Sequence, residues 1–392
     1  MRIALLTNGI PPYVVGGMQT HSYNMARQLA RLKVDVDLYH PVSDDGTLPA
    51  NRHIQEDSPE ECLTCVLFQA PRPRRYPGHY IAEAAELSSR YLDEYLRNCP
   101  ADLIYAKGLM SHAFLAARKR GCRLPPIVTN IHGYEAFQRS GTATERLRAA
   151  MLRPAFRRVI VDSDYVVSYG GRITELLRKL GICQSRILEV PGAVSDDILK
   201  FPLLRRMSER HSRVFAFVGR YERRKGLEEL SAVLRTGVLG DSSFQIIGPV
   251  PPRIVKQFPM STVMHGQVTD RQQLARLLDD VDVLICPSRS EGMPNVILEA
   301  MARRTAVIAT DVGATRILVD SRVGWLIPPG SPDRLHSALR AALEVSNDDL
   351  EKMQVIARQR IDAAFTWHTV GRTLLERLNL AAFPAGGLSA SA

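Results

Sequence analysis

Short apolar runs alternate with longer stretches of helical periodicity along this chain, and that alternation leaves few folds open. Runs at 2–7, 35–40, 63–69, 103–106, 127–132, 165–168 and 187–190 have strand length. Several are rich in Val, Ile and Leu without clean polar alternation, as strands covered on both faces are. Segments 19–32, 81–97, 111–120, 144–156 and 173–180 carry helical patterns between them. A second series of runs follows at 214–218, 244–247, 263–265, 281–286, 306–309 and 325–327. Strand–helix–strand units in series build a parallel sheet. Two series predict an α/β chain of two parallel-sheet domains, with a cleft between the carboxyl ends of their strands. The expected division is 1–200, 201–364, a last helix at 365–383, and a disordered low-complexity tail at 384–392.

The charge balance narrows the partners. Lys and Arg number 51 against 41 Asp and Glu, a net charge of +10, which favours nucleic acid, anionic lipid headgroups or phosphorylated small molecules. Without zinc-finger spacing or an aromatic RNA-binding motif, nucleic acid is not expected. No apolar run approaches the roughly 20 residues that span a bilayer. The start MRIALLTNGI reads as a buried first strand and not as a signal peptide, so a cytoplasmic location is expected. Cys62 and Cys65 form a CxxC without a second pair or nearby His, and they read as ordinary reduced thiols. Positive charge concentrates in the loop Pro71-Arg72-Pro73-Arg74-Arg75-Tyr76 and in segment 145–158. In the latter, Arg146, Arg148, Arg153, Arg157 and Arg158 interleave with Leu147, Met151, Leu152 and Phe156. Such a helix lies either on an anionic membrane surface or in solvent with its apolar side in the core, and Pro154 would kink it.

Segment 288–301, SRSEGMPNVILEAM, holds two carboxylates, Glu291 and Glu299. Pro294 suits a first helical position, which puts Glu291 on the preceding loop and Glu299 on the second turn. The N–H groups of Gly292, Met293, Asn295 and Val296 would then gather at the helix's positive end, an anion site. On spacing alone, Glu299 could instead pair with Arg303 at i,i+4. Three other strand ends carry candidates. Gly16-Gly17 precedes a helix and lets backbone approach a ligand, although it is not GxGxxG. His132-Gly133 could contact a sugar hydroxyl or phosphate, or be structural. In Gly219-Arg220-Tyr221-Glu222-Arg223-Arg224-Lys225-Gly226, Arg220 and Lys225 could bind phosphate oxygens or belong to a solvated charge run. Asp44-Asp45 and Asp279-Asp280 read as surface charge.

Taken in order, Gly16-Gly17 with His21, His132-Gly133, Gly219-Arg220…Lys225-Gly226 and Glu291…Glu299 resemble the motifs of the retaining glycosyltransferases of family 4. The signature of that family is two glutamates flanking seven residues. Phe365-Thr366-Trp367 looks like the start of its terminal helix, which crosses back onto the first domain. The resemblance covers nearly the whole chain and implies the GT-B fold, two Rossmann-like domains facing a central cleft. It implies that Arg220 and Lys225 bind the diphosphate of a nucleotide-sugar and stabilise the leaving nucleotide. Glu291, with the N–H groups of Gly292 and Met293, would hold hydroxyls of the donor sugar, and His132 would contact that sugar. Glu299 would accept from the ribose hydroxyls, with Arg303 orienting it. Gly16, Gly17, Gly219, Asn295 and Val296 would complete the donor site. The implied activity is hexose transfer from a UDP- or GDP-sugar to a glycan or lipid-linked glycan, in bacterial surface polysaccharide or glycoconjugate synthesis. It would need no metal and no cofactor, and would retain configuration by front-face attack. The enzyme would be cytoplasmic or peripheral on the inner face of the membrane.

Two stretches depart from the family's pattern. Val190-Pro191-Gly192-Ala193-Val194-Ser195 stands where relatives often have an Asn-Gly-Val-Asp run. Gly313-Ala314-Thr315-Arg316-Ile317 stands where a second Gly and a Pro-Glu pair are common, which leaves that loop's contact with the nucleotide open. The alternatives to a glycosyltransferase are a GT-B nucleotide-sugar epimerase, a phosphorylase, or a non-catalytic module that binds a phosphorylated ligand.

Overall fold

The computed structural model of the chain describes residues 1–14, 16–42, 53–55, 62–72, 74, 76, 78–98, 100–138, 142–204 and 212–383. Asp44-Asp45, residues 73 and 75 of the basic loop, part of the connection before Arg213, and the tail 384–392 lie outside the described residues.

Two sheets account for the described strands. The first contains β1 (Arg2–Leu6), β2 (Asp35–Val42), β3 (His53–Gln55), β4 (Leu63–Gln69), β5 (Leu103–Lys107), β6 (Ile127–Asn130), β7 (Tyr165–Ser168) and β8 (Ile187–Glu189), in the order β3-β4-β2-β1-β5-β6-β7-β8. Its strands pair in parallel except at the edge, where β3 runs antiparallel to β4. The second holds β9 (Val214–Val218), β10 (Ser243–Ile247), β11 (Val263–Gly266), β12 (Val283–Cys286), β13 (Ala306–Thr310) and β14 (Gly324–Ile327), all parallel, in the order β11-β10-β9-β12-β13-β14. Each strand expected from the sequence is present, with ends within about two residues. Strand β3 is the addition; at three residues it is too short to show a pattern.

The apolar runs without alternation have a direct cause. Ala4 and Leu6 of β1 pack into one core cluster and Ile3 and Leu5 into another, so helices cover both faces of the sheet. In the second sheet, Leu284 and Cys286 face one cluster and Val283 and Ile285 the other. The final helix, Trp367–Ala382, buries Trp367, Val370, Leu374, Leu378 and Ala381 in the cluster that holds Leu5 and Met25, against the first sheet.

Strand order reverses at β1/β5 and again at β9/β12. A ligand site in an open parallel sheet forms in the crevice at such a reversal, beyond the carboxyl ends of the strands. The loops after β1, β6, β9 and β12 therefore position the site.

The basic helix has less of its apolar side in the core than the solvated reading expects. It runs from Ala143 to Asp162 through Pro154, starts from a capping box of Thr142 and Glu145, and buries only Ala149, Val159 and Ile160. Most of its apolar side is outside the core.

Candidate active site

The loop after β9 carries Arg223, Arg224 and Lys225 on a single 3-10 turn ended by Gly226. Gly226 has φ 75, and a Cβ there would stand 2.2 Å from the carbonyl oxygen of Pro287, so only glycine brings this loop onto the one after β12. The approach sets Lys225 Nζ 2.6 Å from Glu291 Oε1 and Arg224 NH1 3.3 Å from Glu291 Oε2. Ser288 Oγ donates to Glu291 Oε1 at 2.8 Å. Burial alone would raise the Glu291 carboxyl, but Lys225, Arg224 and Ser288 overrule it and hold it below the usual carboxylate range. The result is an anchored pair of cations at a strand end. Gly219 lies at the end of β9 and donates its N–H to Ile247 O at 2.9 Å.

The structure places Arg220 differently. Its side chain is 74% exposed and pairs with Glu222, away from Glu291. Glu222 also receives Arg224 Nε at 2.6 Å, so one carboxylate ties Arg220 to the residue that does reach the centre. Arg224 was not singled out from the sequence; its place in a run of three cations gave no sign which of them would turn inward.

Helix Asn295–Ala302 begins one residue later than expected, with Pro294 as its N-cap and not its first residue. Its opening N–H groups lack intrahelical partners by geometry. Asn295 is exposed, Val296 is half-buried, and the Met293 sulfur accepts a hydrogen bond from Gly192 N–H at 3.0 Å. Glu299 lies on the second turn and pairs with Arg271 at 2.6 Å.

Arg303 does not orient Glu299. It is fully buried, bonds Asp279 through Nε at 2.7 Å, and donates to the carbonyls of Ile198, Phe201 and Pro202. Asp279 is accordingly a buried ion-pair partner and not surface charge, whereas Asp280 is exposed.

The first sheet supplies the opposite wall. Gly17 faces helix Asn295–Ala302: a Cβ there would lie 3.7 Å from Asn295 Nδ2. Gly16 is extended at φ 173 and caps helix Gly17–Arg31. Gln138 donates to Glu291 O at 2.7 Å and accepts from Glu291 N at 3.2 Å. Gly292 sits so close to His132 that a Cβ would fall 2.4 Å from the His132 carbonyl oxygen.

His132 follows β6 at φ 65, a strained conformation for a residue with a side chain. Its Nδ1 hydrogen-bonds the Tyr169 hydroxyl, and its N–H donates to Asn130 Oδ1 at 2.8 Å. Its ring meets His21 edge-on at 5.2 Å, and His21 in turn meets Trp367 at 5.1 Å. Lys107, at the end of β5, is fully buried with Nζ 3.1 Å from His21 Nδ1. Burial lowers Lys107 to about 7. Burial first, then the charge of Lys107, lowers His132 to about 3, so its imidazole is neutral at ordinary pH.

Glu291, Lys225, Gly292, Met293 and His132 are thus brought together, with Gly17 and Asn295 meeting beside them. Glu299 lies further along the helix with Arg271. The residues the sequence did not flag are Arg224, Gln138, Tyr169, Lys107 and Arg271, each defined by a partner distant in sequence. Among the described residues, no cluster of three His, Cys, Asp or Glu side chains could hold a metal ion.

Residues 15–198 match the family described as Glycosyltransferase Family 4, and residues 212–345 the family described as Glycosyl transferases group 1. The chain is 29% identical over 397 residues to the phosphatidyl-myo-inositol mannosyltransferase of Mycobacterium leprae, covering 96% of each. It superimposes on sucrose-phosphate synthase from Thermosynechococcus elongatus with a TM-score of 0.76 at 20% identity, covering 97% of this chain and 100% of that one. HepE of Anabaena, in complex with UDP and glucose, gives 0.65 at 17% identity, covering 97% of this chain and 99% of its own. Fold and relatives together define a glycosyltransferase of the GT-B class. The chain belongs to glycosyltransferase family 4.

Proposed function

We propose that the chain transfers a hexose-type sugar from a UDP- or GDP-sugar to a glycan or lipid-linked glycan acceptor, with retention of configuration and without a metal. The observation that carries this reading is the Lys225–Glu291–Arg224 cluster beside the start of helix Asn295–Ala302 and opposite neutral His132. HepE, with the same fold, binds UDP and glucose. Lys225, held by Glu291, and Arg220, once released from Glu222, bind the donor diphosphate together with the helix's free N–H groups. Glu299 takes the ribose hydroxyls, and Gly292 with His132 frames the sugar. The bond from anomeric carbon to phosphate oxygen breaks as the acceptor hydroxyl attacks from the same face, and its proton passes to the departing phosphate. Preorganised cations stabilise the charge that grows on that phosphate. The setting is bacterial surface polysaccharide or glycoconjugate synthesis, with the enzyme cytoplasmic or resting on the inner face of a membrane.

The test is release of nucleoside diphosphate from nucleotide-sugars, with and without acceptor extracts. Lys225→Ala is expected to lower kcat by about a hundredfold or more, and Glu299→Ala to raise the donor KM. Unchanged turnover in both variants contradicts the assignment.

A further inference from the structure

A cavity of about 740 Å³ opens on the first sheet's side of the cleft, between the start of helix His79–Asn98, the loop after β6 and helix Ala143–Asp162. Its inner end is formed by His132 and Gly133 and its outer wall includes Leu147, Met151, Leu152 and Phe156. It is therefore continuous with the proposed transfer site. Leu147 and Met151 are 66% and 43% exposed, a large apolar surface for a helix that buries three of its residues.

Two charged side chains line the space, Glu135 near Gly133 and Arg148 on the helix. A Cβ on Gly133 would fall 2.3 Å from Glu135 Oε2, and the Glu135 charge is felt by Arg224 across the cleft. Glu135 thus stands at the junction of cavity and cation cluster. Further out, Arg153 donates to Ala136 O at 2.6 Å and Arg158 approaches Asp162. Among the described residues, Arg146, Arg148 and Arg157 have no ion-pair partner. An apolar wall beside uncompensated guanidinium groups is complementary to a molecule with an apolar body and an anionic group.

We infer that this cavity holds the acceptor, and that the acceptor is an amphiphile. Its attacking hydroxyl meets His132, a neighbouring hydroxyl meets Glu135, its apolar body lies against Met151, Leu152 and Phe156, and its phosphate-type anion meets Arg148. Glu135 accepts a hydrogen bond from that neighbouring hydroxyl and so orients the acceptor, leaving the attacking hydroxyl's own proton for the departing phosphate. This inference rests on the glycosyl-transfer reading and names the acceptor class for it.

The experiment titrates the purified full chain with decyl phosphate below its micellar concentration, beside decyl maltoside and inorganic phosphate. Saturable binding of one decyl phosphate per chain is expected, at least tenfold tighter than decyl maltoside, with no binding of inorganic phosphate in the same range. Met151→Trp, which fills the cavity, is expected to weaken both alkyl ligands at least tenfold. Arg148→Ala is expected to abolish only the preference for phosphate. Leu147→Asp, at a more exposed position, replaces Met151→Trp if that variant does not fold. Equal binding by the cavity variants and the unmodified protein overturns the inference. So does binding seen only with vesicles of anionic lipid and indifferent to these substitutions, which marks surface adsorption. A nucleotide-sugar melting screen on the unmodified protein tests the transfer reading separately. If no nucleotide-sugar shifts melting, that reading fails, while decyl phosphate binding lost in Met151→Trp still supports an amphiphile cavity.

Discussion

Glu291 has both carboxylate oxygens engaged, one by Lys225 and Ser288 and the other by Arg224. Its first task is to hold cations in place, and Glu291→Gln takes the counter-charge from Lys225 and one of the two carboxylates from Arg224, which keeps Glu222. The expected outcome is a fall in kcat of about a hundredfold with a small change in donor KM, read from steady-state kinetics. Arg303 offers the contrasting case. Removing one partner of a buried ion pair costs about 3–5 kcal/mol, so Arg303→Ala should lose that much stability in urea unfolding while donor KM stays the same. A raised KM at unchanged stability would restore Arg303 to Glu299. Sequence spacing made Arg303 the natural partner of Glu299, four residues away. Asp279 wins because it comes from a neighbouring helix end, and no spacing rule reaches a partner 24 residues off.

Among the elements, β5 and helix Gly17–Arg31 meet at an unusual contact, a buried amine against an imidazole. The Lys107 amine titrates near 7 in the folded chain against 10.5 in the unfolded one. Between those values the unfolded chain binds a proton that the folded chain does not, so stability rises with pH. Below about 7 the cost of burying the charge is fully present. His21 and His132 are lowered by burial and Tyr105 is raised by it, so none of the facing groups competes in this window. Wild type should therefore gain on Lys107→Met by up to about 1.4 kcal/mol per pH unit between pH 7 and 10, measured by urea unfolding at stepped pH. A constant difference contradicts it. The strands themselves were legible in the sequence, because burial on both faces writes continuous apolar runs. Helix Ala143–Asp162 was legible as a helix but not in its packing, since periodicity cannot tell a core face from a cavity wall.

Across the whole molecule, the two sheets are clasped at the EGMPN loop and at the loop after β13. Gln138 bonds the backbone of Glu291, Gly292 packs on the His132 carbonyl, and Arg172 donates its N–H to Gly313 O at 2.9 Å beside Asp311. Two tandem series of strands announced a cleft, and the four motif groups fall on its walls. What closes it was not legible, because Gln138 and Glu291 lie 153 residues apart and share no motif. Gly292→Ala pushes a methyl into the His132 carbonyl and should pry the walls apart. The expected result is a larger radius of gyration by solution scattering and a loss of kcat of about a hundredfold; an unchanged radius with full activity opposes it.

If the cleft binds a nucleotide-sugar through Lys225, Glu291 and Glu299, the bound ligand stabilises the fold. Thermal melting of the purified protein against a panel of nucleotide-sugars reads that stabilisation, because a ligand present at a hundredfold over Kd adds about 2.7 kcal/mol. A UDP- or GDP-sugar is expected to raise the melting temperature, and Lys225→Ala and Glu299→Ala each to diminish the shift. No shift with any nucleotide-sugar, or a shift indifferent to both substitutions, contradicts it.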